Sequence, residues 1–196
     1  PDVEPDSPRN SQGERDGTSQ DVDAMIVEMG HRVMACGLDH SLARYTSHAV
    51  HTECVAMHGE SISTTRRVFV EILQRISGHP QRAMLGGTLS PGTNQLLEVV
   101  LHVSEDRPLG AAATYPGAFR HDLVPGLPEE FIEWIPRALM TQIARPGVIT
   151  IDRAAYDEVE SSVHGFSLAA DLLGLVVSYE SLAEAEGAIR QRLTEW

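Results

Sequence analysis

Over residues 95–103 the side chains alternate, with Leu97, Val99, Leu101 and Val103 on one side and Glu98 and His102 between them. A period of two sends successive side chains to opposite faces of an extended strand and cannot make one helical face. The chain must therefore build a sheet with at least one apolar face. Just upstream, residues 82–89 form a second strand-like run. Ser90, Pro91, Gly92, Thr93 and Asn94 lie between the two, and these are turn formers, so the pair reads as a central antiparallel hairpin.

Elsewhere the spacing is helical. Val22, Ile26, Met29 and Val33 fall at i, i+4, i+7 and i+11, with Asp21 and Asp23 near the start and Gly37 at the stop. A second helix is expected over residues 64–77: Phe69, Ile72, Leu73 and Ile76 share a face, Arg66, Arg67 and Arg75 lie opposite, and Gly78 and Pro80 end it. Residues 127–145 read as a helix with Pro128 in its first turn, split or kinked at Pro136. Residues 148–151 then suggest a short strand, Asp152 a cap for a helix reaching His164 and Gly165, and residues 172–177 another strand. Ser181 and Glu184 form a capping box for a last helix that turns Leu182, Ala185, Ile189 and Leu193 inward. The expected class is α+β: a central antiparallel hairpin or sheet packed by helices, with a β-α-β-α C-terminal third.

Residues 1–18 combine Pro, Ser, Gly, Asn, Asp and Glu with almost no large apolar side chain. Such a composition cannot offset the entropy of ordering, so a disordered acidic tail is expected there, followed by a single domain over residues 19–196.

Charge narrows the range of partners. The net charge is −13 and the chain contains no lysine, so its surface repels phosphate backbones and anionic headgroups. Nucleic acid and membrane are poor partners on that ground, and no apolar run approaches the ~20 residues that span a bilayer. The opening residues Pro1, Asp2, Val3, Glu4, Pro5 and Asp6 lack the basic start and apolar stretch of a signal peptide, which makes the cytoplasm the expected compartment. Two cysteines, Cys36 and Cys54, are too few for a disulfide framework and read as reduced thiols.

Residues 41–58 carry the main candidate chemistry. Leu42, Tyr45, Ala49 and Ala56 make a helical face, and the segment is read as a helix, although Val50, Thr52, Cys54 and Ala56 also alternate as a strand would. On a helix, His48, His51, Cys54 and His58 would form one stripe of the imidazole and thiol ligands that divalent transition metals prefer. His48 and His51 could chelate together, whereas His58 lies about 10 Å further along the axis. On a strand, His48, Cys54 and His58 would share a face instead. No His-Glu-x-x-His, nucleophile-elbow or P-loop pattern accompanies them.

A second candidate is the Gly/Pro-rich passage over residues 108–128 with the helix that follows. Tyr115, Phe119, Phe131 and Trp134 supply aromatic anchors there for a protein or small-molecule partner. The function expected first is a non-enzymatic binding or regulatory protein; the alternative is a metal-dependent enzyme using the His/Cys group.

Overall fold

The computed structural model describes residues 24–38, 43–76, 79–105, 114–119 and 122–196. Among these, the mixed α+β class is seen as one large sheet with three α-helices. The strands are β1 (Ala24–Met29), β2 (Arg32–Leu38), β3 (Ser47–Ala56), β4 (Arg66–Ile76), β5 (His79–Ser90), β6 (Leu96–Ser104), β7 (Tyr115–Pro116), β8 (Asp122–Pro125) and β9 (Gly147–Tyr156). The helices are α1 (Ile135–Gln142), α2 (Val163–Ser178) and α3 (Leu182–Glu195). The expected tail over residues 1–18 and residues 108–113 and 120–121 of the Gly/Pro-rich passage lie outside the described residues.

The sheet runs in the order β1-β2-β4-β5-β9-β6-β3. Its neighbours are antiparallel except β6 and β9, which are parallel from Leu97↔Gly147 to Leu101↔Ile151. Beyond the end of β6, β8 takes over its side of β9 through Val124↔Tyr156 and Pro125↔Ala155. One face holds the main core: Val68, Val70 and Ile72 of β4, Leu85 and Leu89 of β5 and Ile149 and Ile151 of β9 meet the apolar sides of all three helices. The other face carries a smaller cluster of Phe69, Met84 and Ala155, roofed by Ala43, Tyr115 and Leu123.

Several sequence expectations are corrected by this arrangement. The helix expected from residue 21 to residue 37 is the hairpin β1-β2, closed at Met29↔Arg32 by Gly30 and His31. Gly30 has φ +63°, the left-handed conformation that a two-residue hairpin turn needs at its first central position. The helix expected over residues 64–77 is β4. Both of its faces are covered, so the run loses the alternation that would have marked it as a strand, and its β-branched residues Val68, Val70 and Ile72 suit the pleated surface. The helix preferred over residues 41–58 is β3 from Ser47 onward.

The two strands of the expected hairpin exist, but they do not pair with each other. β9 lies between β5 and β6, so the five residues between Ser90 and Leu96 span two strand spacings, about 10 Å. Asp152 caps no helix, because it lies inside β9 at the bulge opposite Gly86 and Gly87. The strand expected over residues 172–177 is the second half of α2. This helix is wedged between the sheet and its two sister helices, and a helix that is apolar nearly all round cannot be told from a buried strand by periodicity. The C-terminal third therefore runs α1-β9-α2-α3 rather than β-α-β-α.

Other features hold. Glu129–Phe131 form a short 3-10 turn and α1 begins afresh with Pro136 in its first turn, the expected split. The Ser181 hydroxyl accepts from the Glu184 N–H at 3.3 Å, and Ala185, Ile189 and Leu193 are buried. Arg32 of β2 ties this last helix to the sheet by donating to the Leu193 carbonyl at 2.6 Å and to that of Trp196, a cation at a helix C-terminus where the macrodipole favours it.

Candidate functional site: an open sheet edge

β3 closes one end of the sheet and, among the described residues, pairs with β6 alone. Its register runs from Val50↔His102 to Ala56↔Leu96. Just beyond, the Met57 N–H donates to the Gln95 carbonyl at 3.0 Å. Main-chain groups of successive residues point to opposite sides of a strand, so those of His51, Glu53 and Val55 turn toward β6 as Met57 does. The N–H and C=O groups of Val50, Thr52, Cys54 and Ala56 turn outward, along the open edge.

Both faces of β3 are also largely bare. His51, Glu53 and Val55 share the helix-side face with Leu101, Val99 and Leu97, but β3 reaches past the helical layer, and His51 and Glu53 meet solvent. The His51 Nε2 and Glu53 Oε1 atoms are 3.0 Å apart, the imidazole donating to the carboxylate. On the opposite face Val50 is 58 % exposed, with Thr52 and Cys54 exposed beside it. Proteins usually blunt an edge with lysine, proline, an inward charge or a bulge. This chain has no lysine and β3 has no proline; its bulge, between Ser47 and Ala49, lies at the start of the strand, and its one charge on the helix-side face, Glu53, is held by His51 and meets solvent. The opposite edge, β1, is shorter and is backed by α3.

The strand geometry separates the expected metal ligands. His48 is the extra residue of the bulge, His51 and Cys54 project from opposite faces, and His58 follows the strand. No group of three His, Cys, Asp or Glu side chains among the described residues could hold a metal ion. The two thiols have different fates. Cys54 is exposed, whereas burial in the main core pushes the Cys36 thiol up to about 12. Native protein should therefore show one fast alkylation, at Cys54, and a second only on unfolding. Mass spectrometry finding both thiols modified at equal rates in the folded protein would contradict this placement.

The four expected aromatic anchors do not form one surface. Tyr115 is fully buried and Phe119 half-buried on the side of the sheet away from the helices. Phe131 stacks on Phe166 at 4.8 Å between ring centroids, within the main core. Trp134 alone offers much of its ring, being 43 % exposed with the Arg137 guanidinium 5.7 Å from the ring centroid. It lines a shallow groove with Trp196, so both tryptophans of the chain meet there.

Under β7 lies a buried ion pair that the sequence reading missed. The Arg82 guanidinium donates to Glu71 Oε1 at 2.8 and 3.3 Å, and the Ala118 N–H donates to Oε2 at 2.6 Å. Both side chains are essentially without solvent contact. Burial pushes the Glu71 carboxyl up, and Arg82 with the Ala118 and Phe119 amides pulls it back. Gly117 permits this closeness, because a Cβ there would fall 2.5 Å from an Arg82 nitrogen. The pair latches the β7-β8 hairpin to the sheet. A lone glutamate in the apolar run from Val68 to Leu73 was the available signal.

The cavities do not compete with the edge as a site. The one between Ile62, Arg66, Leu89, Ile143 and Val177 measures about 160 Å3, below the roughly 300–1,000 Å3 of small-molecule pockets. A larger cleft of about 540 Å3 is walled mainly by charged groups, and the carboxylate of one of them, Asp157, already accepts from the Val159 and Glu160 amides. Among the described residues no helix is long and apolar enough to cross a membrane. No family model, no curated protein and no solved structure is similar enough to the chain to match it.

Proposed function

We propose that this protein is a binding module rather than a catalyst, that its partners are proteins, and that β3 is the recognition element. An extended segment of the partner adds to β3 as the next strand of the sheet. Main-chain hydrogen bonds then supply affinity, and the alternating side chains of β3 supply selectivity. The observation that carries the reading is the row of outward main-chain groups at Val50, Thr52, Cys54 and Ala56 on a ten-residue strand with exposed faces. An unpaired row of this kind is a template for another chain.

Amide hydrogen exchange on the isolated protein at high dilution tests the reading directly. The Val50, Thr52 and Cys54 amides should exchange much faster than those of Glu53 and Val55, which bond to β6. Equal protection of the two sets would mean that the protein fills its own edge, and the reading would fall. Thr52→Pro gives a matched control: it removes an outward N–H without touching the β6 ladder, a position where sheets tolerate proline. The expected compartment, the cytoplasm, belongs to the same proposal.

A further inference from the structure

We infer that the partner added at β3 is a second copy of this chain, bound antiparallel about a two-fold axis through Thr52. The inference rests on reading β3 as the recognition edge, and what selects the occupant is the pattern of β3 itself. A two-fold dimer brings the same patch together from both sides, so the strand must be complementary to its own reverse. Centred on Thr52, it is. His51 faces the partner's Glu53, Glu53 faces the partner's His51, and Val50 faces the partner's Cys54.

The hydrogen-bonding phase agrees with that register. Outward groups belong to the even-numbered residues, so the pairs Val50 with Cys54, Thr52 with Thr52 and Cys54 with Val50 are the hydrogen-bonded ones, giving about six inter-chain bonds. His51 and Glu53 then form the non-hydrogen-bonded pairs, in which facing Cα atoms approach to about 4.5 Å and side chains are closest. Each Glu53 carboxylate would lie between its own His51, already 3.0 Å away, and the partner's. A hydrogen bond from imidazole to carboxylate requires no charge on the ring.

Neighbouring registers lose this match. Sliding by two residues sets His51 against His51 or Glu53 against Glu53, and like groups directly opposite are destabilising. Sliding by one sends every side chain to the wrong face. Each copy carries a net charge of −13, but that repulsion is screened beyond about 8 Å at physiological ionic strength, which leaves the facing pairs to decide.

Val50→Cys tests register and occupant together. Within one strand residues 50 and 54 are about 13 Å apart and cannot bridge. In the dimer the new thiol would face the partner's Cys54 at a Cα separation of about 5.5 Å, inside the range for a disulfide. Mild oxidation should convert most of the Val50→Cys protein to a covalent dimer and leave the unaltered chain uncrosslinked. Analytical ultracentrifugation should show self-association that Thr52→Pro weakens roughly tenfold or more. Exchange protection at Val50, Thr52 and Cys54 should rise with protein concentration.

A monomer at every concentration, with fast edge amides and no crosslinking of Val50→Cys, would overturn this inference while leaving the open edge for another protein. Edge amides protected even at high dilution would overturn both. Concentration-dependent protection without crosslinking would overturn the register, and the charge argument with it.

Discussion

Arg82→Ala should cost the protein about 3–5 kcal/mol of folding free energy, read as a lower urea midpoint at unchanged slope. The loss arises less from the missing attraction than from what remains. Glu71 sits at zero solvent exposure with its second oxygen held by the Ala118 amide, and without Arg82 it becomes an unpaired buried charge. Taking protons is its one relief. The deficit should therefore grow as pH rises from the ordinary carboxyl range through the lifted pKa, and be smallest below the unfolded value, where folded and unfolded chains both hold the carboxyl neutral. Glu71→Gln combined with Arg82→Met should recover most of the loss, because the glutamine oxygen still accepts from Ala118 and the methionine fills the space without charge. A single variant as stable as the parent would mean that the hairpin above the pair is not latched by it.

The second large effect is expected in alkali. Burial pushes up the hydroxyls of Tyr45, aided by the charge of Asp152, and of Tyr115, aided by Glu71, and it pushes up the Cys36 thiol to about 12. Tyr45 also donates to the His102 carbonyl at 2.5 Å, a bond its ionised form cannot make. An acid whose folded pKa lies above its unfolded one binds its proton more tightly in the folded state. Stability is then intact below the unfolded value and falls as pH climbs from there toward the folded value.

Unfolded reference values are 9.0 for the thiol and 10.0 for the tyrosines. By about pH 11 the unfolded chain has released close to three protons that the folded chain largely retains. At about 1.4 kcal/mol per pH unit for each, the slope is about 4 kcal/mol per unit. Over about two pH units that slope removes about 8 kcal/mol, enough to unfold a chain in the lower half of the typical range of about 5–15 kcal/mol by about pH 12. Circular dichroism and tyrosinate absorbance should change together for Tyr45 and Tyr115, and Tyr115→Phe should flatten the slope by about a third. Smooth ionisation of both rings near pH 10 with unchanged circular dichroism would refute it.

The sequence could be read where one face of an element is solvated, and misled where both faces are covered. α3 was legible because its capping box is local and its buried residues Ala185, Ile189 and Leu193 keep helical spacing against a polar remainder. The alternation of β6 survives because Glu98, Val100 and His102 lie on a half-open face. β4 and α2 have no such open side, so the one passed for a helix and the other for a strand. Pairing was less legible still: nothing between Ser90 and Leu96 signals that a strand from residues 147–156 lies between β5 and β6. At the candidate site, the alternation of Val50, Thr52, Cys54 and Ala56 was visible, but that β3 ends the sheet is a fact of topology. The Glu71–Arg82 pair likewise joins residues whose strands had first to be recognised as neighbours.

That late insertion also sets the order of assembly. A ribosome releases residues 24–104 long before residues 147–156, and in that interval the ribbon β1-β2-β4-β5 and the pair β6-β3 are separate, each with a raw border where β9 will lie. No local turn can draw those borders together, since the piece that joins them must return from more than forty residues downstream and close a long loop before any ladder bond rewards it. Until then the two ribbons present four strand borders, those of β1, β5, β6 and β3, and β9 covers the two middle ones, β5 and β6, in a single docking event.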